Sequence, residues 1–166
     1  MTHRIHGSLL FVLLFFGVAV HGQPAGVDLE GNPADLSRHT GQGKWLLVKF
    51  WASDCHVCAQ EAPSVTAFHE RHREDDAEVP AEVLGIALDG PDNMAAVQAF
   101  RERHGARFPS LVMEPEAGWR LFQQLTGQPW LGTPSYLIYG PDGQLLAQQV
   151  GAVPMAMVED FISRKP

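Results

Sequence analysis

The chain has 166 residues, 45% of them hydrophobic and 19% charged, which is enough for one domain with its own core. Its 12 Lys and Arg stand against 19 Asp and Glu, a formal charge of −7, which argues against a general nucleic-acid binder with a basic contact face. No internal repeat or low-complexity tract occurs, and only two cysteines are present.

Residues 1–22 read as a targeting segment. Arg4, with His3 and His6, gives a weakly positive start, and Leu9 to Val20 is almost wholly apolar. Val20 and Gly22 are small residues at the −3 and −1 places of a cleavage site before Gln23. The apolar run has the length of a signal-peptide core and is shorter than the roughly 18 residues read as a spanning helix. The alternative is an uncleaved N-terminal anchor, with Ile5 to Val20 lying in a thinned bilayer. No cysteine lies at the cleavage point, which excludes lipoprotein anchoring. Either way, residues 23–166 form one domain expected outside the cytoplasm, in the periplasm or on the extracytoplasmic face of the membrane.

The domain opens with a Gly-, Pro- and Asn-containing stretch from Gln23 to Gly43. Val27 to Leu29 alternates as a short strand, and Gly31-Asn32-Pro33 reads as a turn. Trp45 to Trp51 is a near-continuous apolar run, the pattern of a strand covered on both faces. Lys49 interrupts it and is expected to reach solvent along a sheet edge. Pointed inward, its ammonium would instead lower the pKa of a nearby thiol. A helix is expected from Val57 to Arg73, kinked at Pro63, with Val57, Pro63, Val65, Phe68 and His72 on its buried face. His69 and His72, at i and i+3, could pair on a metal, but such residues more often sit among charges on a solvated face, and no metal site is expected.

Glu82 to Leu88 is the next strand, and the Asp89-Gly90-Pro91-Asp92 turn starts a second helix. Met94, Val97, Ala99 and Phe100 are on its apolar side, and Gly105 suits its stop. Strand–helix–strand alternation with short connections indicates parallel pairing. Pro109 to Met113 is a short strand, and Glu116 to Leu125 a helix ended by Gly127. Ser135–Tyr139 and Gln144–Val150 are strands joined by Gly140-Pro141-Asp142-Gly143, a hairpin signal. Met155 to Ser163 is the last helix, with Met155, Val158, Phe161 and Ile162 at helical spacing.

The chemistry is concentrated in Cys55-His56-Val57-Cys58, between a strand and a helix. Two thiols at this spacing can close a small ring at the first turn of a helix. There the unpaired N–H groups and the positive dipole end stabilise a thiolate, the species that attacks disulfides. Half of a zinc site is the competing reading, but structural zinc takes four Cys or His ligands and no second pair follows. A haem attachment needs His directly after the second Cys, where Ala59 stands. A purely structural disulfide would constrain the unfolded chain little across so short a loop. Asp54 can cap the helix. Its charge opposes a thiolate at Cys55, whereas a protonated His56 would favour one.

Phe50-Trp51-Ala52-Ser53, the Cys55-x-x-Cys58 pair, Glu61 and Pro63, the distant Gly132-Thr133-Pro134 and the strand Tyr136-Leu137-Ile138-Tyr139 with its turn together resemble the thioredoxin superfamily. Within it they resemble the secreted TlpA/ResA-like thiol–disulfide oxidoreductases, over about Gly26 to Ile162. The resemblance implies an α/β fold: a three-layer α/β/α sandwich with a mixed central sheet, an N-terminal hairpin extension and an inserted helix. It implies Cys55 as nucleophile, Cys58 as resolving thiol and Glu61 as proton carrier, with His56 and Val57 tuning the potential. Thr133–Pro134 would be a cis peptide beside the pair, with Trp51 and Trp130 around the substrate groove; a core aromatic is the other reading of Trp130. Where this chain has Lys49, thioredoxins have an acidic residue and the ResA-like group often has Asn. Asp54 and Val57 likewise depart from the usual Trp and Pro.

The activity implied is protein-disulfide reduction without a cofactor or metal. Expected substrates are disulfide-containing proteins such as apocytochrome c or a metallochaperone, and a membrane thiol donor would re-reduce the pair. Two alternatives are a thiol oxidant or isomerase on the same fold and a protein binding Cu(I) through Cys55 and Cys58. The Cys-x-x-x-Cys spacing of Sco-like copper proteins is absent, as is the Pro-x-x-x-Thr-x-x-Cys pattern of a peroxidase.

Overall fold

A computed structural model describes residues 26–74 and 76–164; the targeting segment expected over residues 1–22 lies outside them. Strands β1 (Gly26–Val27) and β2 (Pro33–Ala34) form a small antiparallel hairpin. Its turn is built by Asp28, whose carboxylate accepts the backbone N–H groups of Glu30 and Asn32 at 3.0 and 2.8 Å. A 3-10 turn, Leu36–Arg38, follows. Then come β3 (Trp45–Trp51), α1 (His56–His72), β4 (Ala81–Ala87), α2 (Met94–His104), β5 (Ser110–Val112), α3 (Pro115–Thr126), β6 (Ser135–Tyr139), β7 (Leu145–Val150) and α4 (Met155–Arg164). Helices α2 and α3 stop at Gly105 and Gly127, both left-handed, as their glycines require.

The seven strands make one sheet in the order β2-β1-β5-β4-β3-β6-β7. β3 runs parallel to β4 and antiparallel to β6, and β4 is parallel to β5, so the sheet is mixed. β3 is therefore internal and buried along its whole length, which accounts for its unbroken apolar run. Its alternate residues feed two cores. Trp45, Leu47 and Trp51 pack with Val65 and Phe68 of α1, Val97 and Phe100 of α2, and Val158 and Ile162 of α4. Leu46, Val48 and Phe50 pack on the other face with Leu84, Ile86, Leu137 and Phe122 of α3. The three-layer α/β/α arrangement, the N-terminal hairpin and the extra helix α3 are as expected.

Two expectations are corrected. The buried stripe of α1 is Cys58, Ala62, Val65, Thr66, Phe68 and His69, not a face containing Val57 and Pro63, which are exposed. The helix begins at His56, so Cys58 turns inward and sets the phase of the stripe. His69 is buried, not solvated: its Nδ1 accepts the N–H of Val83 at 3.2 Å, where β5 has not yet begun to pair with β4. Burial pushes the His69 pKa down, and the neutral ring is the form that can accept this bond. Thr66 is satisfied in the same way, its hydroxyl donating to the Gly105 carbonyl and accepting from the Arg107 N–H. Among α2's expected apolar residues, Val97 and Phe100 are buried and Ala99 is exposed.

Candidate active site

The site is built where β3 ends. The Trp51 carbonyl accepts the Leu88 N–H at 2.9 Å, and the chain turns through Ala52, Ser53 and Asp54, closed by a bond from the Cys55 N–H to the Ala52 carbonyl at 3.1 Å. Asp89, just past β4, fixes this turn: its carboxylate accepts the Ser53 N–H at 3.0 and 3.2 Å and also the Ser53 hydroxyl. The turn thus hangs from the end of the neighbouring parallel strand.

Cys55 then occupies the N-cap of α1, and its Sγ accepts the Cys58 N–H at 3.1 Å. The two cysteines form a disulfide with their Cα atoms 5.2 Å apart. Their environments differ: Cys55 is half-buried, whereas Cys58 is only 1% exposed. A sulfur at the cap of a 17-residue helix lies where free N–H groups and the dipole favour negative charge. Asp54 does not cap the helix as expected; Cys55 is the N-cap, and Asp54 is exposed. His56 is also exposed, and its Nε2 lies 3.1 Å from Gln60 Nε2, one turn along the helix. It lies along the helix flank, with Gln60 as its hydrogen-bond partner. Val57 is exposed beside it.

Glu61 lies one turn beyond Cys58 and is the centre of a buried polar cluster. Its Oε2 accepts Lys49 Nζ at 3.2 Å and the Tyr136 hydroxyl at 2.8 Å, and its Oε1 accepts the Val153 N–H at 2.8 Å. The Glu61 side chain is 11% exposed and that of Lys49 1%. The expectation that Lys49 reaches solvent is overturned. β3 has no free edge, and in its register Lys49 is flanked by Gly85 of β4 and Tyr136 of β6. Its stem is enclosed there, and its ammonium also sits 5.4 Å from the centre of the Tyr136 ring. Burial pushes the Lys49 pKa down, and the Glu61 carboxylate opposes that shift. Burial, then the Glu61 charge, pushes the Tyr136 pKa far up, so its hydroxyl is a donor.

Thr133–Pro134 is a cis peptide. Ser135 pairs with Phe50, which brings Pro134 beside the end of β3 and so beside the turn that leads to Cys55. Pro134 is buried, with its carbonyl accepting the Gly151 N–H at 2.8 Å, and Thr133 is half-buried. Trp51 does not form a groove wall. Trp51 is 1% exposed and packs on Phe100 with ring centres 4.6 Å apart. Trp130 is half-buried against Phe50 and Phe122, at 5.7 and 5.3 Å, on the α3 side of the sheet.

The structure therefore joins Cys55, Cys58, Glu61 and Lys49 in one region, brings Thr133 and Pro134 to the same end of β3, buries Trp51 in the core, and leaves Trp130 half-buried against the α3-side core. Sequence reasoning missed Tyr136, Val153 and Asp89 as site residues. The strand register that sets Tyr136 against Lys49 joins residues 87 positions apart. Asp89 carried a signal, a carboxylate directly after an apolar strand, but it was read only as part of a turn. Among the described residues, no group of three or more His, Cys, Asp or Glu converges as a metal site.

The AhpC/TSA family model matches residues 20–148. The thiol-disulfide oxidoreductase ResA of Bacillus thuringiensis (strain Al Hakam) is 26% identical over 138 residues, covering 82% of this chain and 71% of the relative. Among solved structures, the MTB protein dsbF, described in mixed oxidised and reduced forms, aligns with a TM-score of 0.67 and 22% identity, over 86% of this chain and 94% of its own. A secreted Mycobacterium tuberculosis disulfide oxidoreductase homologous to E. coli DsbE aligns with a TM-score of 0.64 and 22% identity, over 84% and 94%. With this fold, a Cys-x-x-Cys pair at the cap of α1 and a cis proline at the same end of β3, the chain belongs to the AhpC/TSA family and is similar to the ResA thiol-disulfide oxidoreductases.

Proposed function

We propose that the protein is a thiol–disulfide oxidoreductase that works as a protein-disulfide reductase. The observation that carries this reading is the asymmetry of the pair: Cys55 is accessible at a helix N-cap, and Cys58 is buried one turn in. In the reduced protein, the Cys55 thiolate attacks one sulfur of a substrate disulfide. The substrate S–S bond breaks, its other sulfur leaves as a thiolate, and a Cys55–substrate disulfide forms. Cys58 then loses its proton and attacks Cys55 Sγ. The substrate's second sulfur leaves, and the Cys55–Cys58 disulfide closes. Two electrons pass from the pair to the substrate.

In this reading Glu61 takes the Cys58 proton. The two are three apart on α1, so their side chains are neighbours on the helix surface. The half-buried Thr133 backbone at the end of β6 is assigned to pairing with an extended substrate segment. The named relatives support exchange chemistry, and the resemblance to the TlpA/ResA-like group supports the reducing direction. Fitting substrates are disulfide-bonded proteins outside the cytoplasm, such as apocytochrome c or a metallochaperone. A membrane thiol donor would return the pair to the dithiol. The secreted neighbour and the targeting segment read in residues 1–22 support an extracytoplasmic site, in the periplasm or at the membrane face.

The test is stoichiometric. Pre-reduced protein, freed of reductant and mixed with a disulfide-bonded protein, is expected to yield two substrate thiols for each Cys55–Cys58 disulfide formed, by thiol counting and mass spectrometry. Unchanged substrate and a persistent dithiol would contradict the reading.

A further inference from the structure

We propose that Lys49 is a positioning residue that holds Glu61 as a charged, singly oriented acceptor for the Cys58 proton; this rests on the resolving chemistry proposed above. Glu61's hydrogen bonds leave one acceptor place open. Oε2 is occupied by two donors, Lys49 Nζ and the Tyr136 hydroxyl. Oε1 carries one donor, the Val153 N–H, and keeps a lone pair. A proton from Cys58 therefore has one open place on the carboxylate, and the three donors prevent the group from turning to offer another.

Charge is the second link. A carboxylate taken out of water prefers its neutral form unless a cation is near, and a neutral carboxyl cannot accept the Cys58 proton. Lys49 supplies that cation from a position 1% exposed, and Glu61 is the carboxylate it pairs with. Such a pair adds little to stability compared with an apolar pair of the same volume, so its presence in this core calls for another role. Among the described residues, the charged or titratable side chains bonded to Glu61 are Lys49 from β3 and Tyr136 from β6, and Cys58 lies three residues before it on the same helix. The contribution from the segment before α4 is the Val153 backbone N–H, and the neighbouring β4 residues Val83 and Ala87 are apolar. Tyr136 stays protonated and serves as a hydrogen-bond donor, so the positive charge at the carboxylate comes from Lys49. When Glu61 takes the proton, the Cys58 thiolate attacks Cys55 Sγ. The Cys55–substrate bond breaks, the substrate sulfur leaves as a thiolate, and that thiolate picks up a proton from solvent.

The experiment separates the two steps with 5,5′-dithiobis(2-nitrobenzoate), an aromatic disulfide that releases one coloured thiolate on Cys55 attack and a second on Cys58 resolution. Stopped-flow traces across pH give both rates. In K49M, the first-phase amplitude is expected to match wild type. The pH at which the second phase reaches half its maximal rate is expected to rise by about one unit or more, which at a pH below both midpoints is about a tenfold loss. E61Q is expected to slow the second phase at pH above the wild-type midpoint, and adding K49M to E61Q to change it no further. The double variant also guards against misfolding, because both halves of the buried pair are then uncharged, and the first-phase amplitude reports folded protein. A K49M second phase with the wild-type pH midpoint, or equal slowing by K49M with and without E61Q, overturns the role of Lys49 and leaves the exchange reading standing. A second phase untouched by E61Q overturns the role of Glu61, and that of Lys49 with it.

Discussion

Replacing Cys55 with serine is expected to abolish turnover, whereas Cys58→Ser is expected to leave the first attack intact and trap the substrate. The difference follows from burial. Cys58 is 1% exposed and cannot reach an incoming protein disulfide, so no second thiol substitutes for Cys55. Loss of the attacking sulfur should cost about a thousandfold or more in rate, as removal of a catalytic nucleophile does. In C58S, Cys55 keeps its place at the N-cap of α1, and the backbone N–H at position 58 is retained for its sulfur. Attack then ends in a Cys55–substrate disulfide that no internal thiol resolves. Non-reducing gels of C58S mixed with a disulfide-bonded protein should show a one-to-one adduct that disappears on reduction. An adduct of equal yield in C55S would reverse the assignment of the two sulfurs.

The second large effect concerns stability. Gly85 lies in β4, opposite Lys49 of β3 and Ser110 of β5. A Cβ there would lie 2.4 Å from Ser110 Oγ, 2.6 Å from Trp51 Nε1 and 3.0 Å from Phe108 Cε2. All three neighbours are buried, and the Trp51 ring is pinned against Phe100, so the clash has little room to relax. Gly85→Ala is expected to cost about 1–3 kcal/mol, the usual range for an overpacked core. That lowers the thermal midpoint by roughly 4–10 °C for a domain of this size. Thermal unfolding followed by circular dichroism checks it. A midpoint within a degree of wild type would show that the Trp51–Gly85–Ser110 packing is not as described.

Strand β3 was legible from the sequence because burial on both faces leaves an uninterrupted apolar run, and the observed strand is the expected Trp45–Trp51. The stops of α2 and α3 were legible because Gly105 and Gly127 mark left-handed positions. The Cys55–Cys58 pair declared itself by spacing and setting. What stayed hidden depends on long-range register or on polar groups satisfied by backbone. Lys49 looked like an edge residue because nothing local shows that β6, 84 residues after β3 ends, pairs along that side. His69 looked solvent-facing because charged residues surround it in sequence, yet its ring serves a backbone group of β4. Glu61 could be placed on the helix but not in its cluster, since Tyr136 and Val153 arrive from the last third of the chain. Trp51 adjoins the motif in sequence, yet packing places it in the interior, while Trp130 is half-buried against Phe50 and Phe122.

The reduction potential of the Cys55–Cys58 pair, measured by equilibration with defined thiol buffers, tests most directly whether this pair is an electron donor. A value near about −270 mV, that of thioredoxin, is the result expected of a dedicated reductant. A value near about −120 mV, that of the oxidant DsbA, would contradict the reducing direction and make the protein a donor of disulfides.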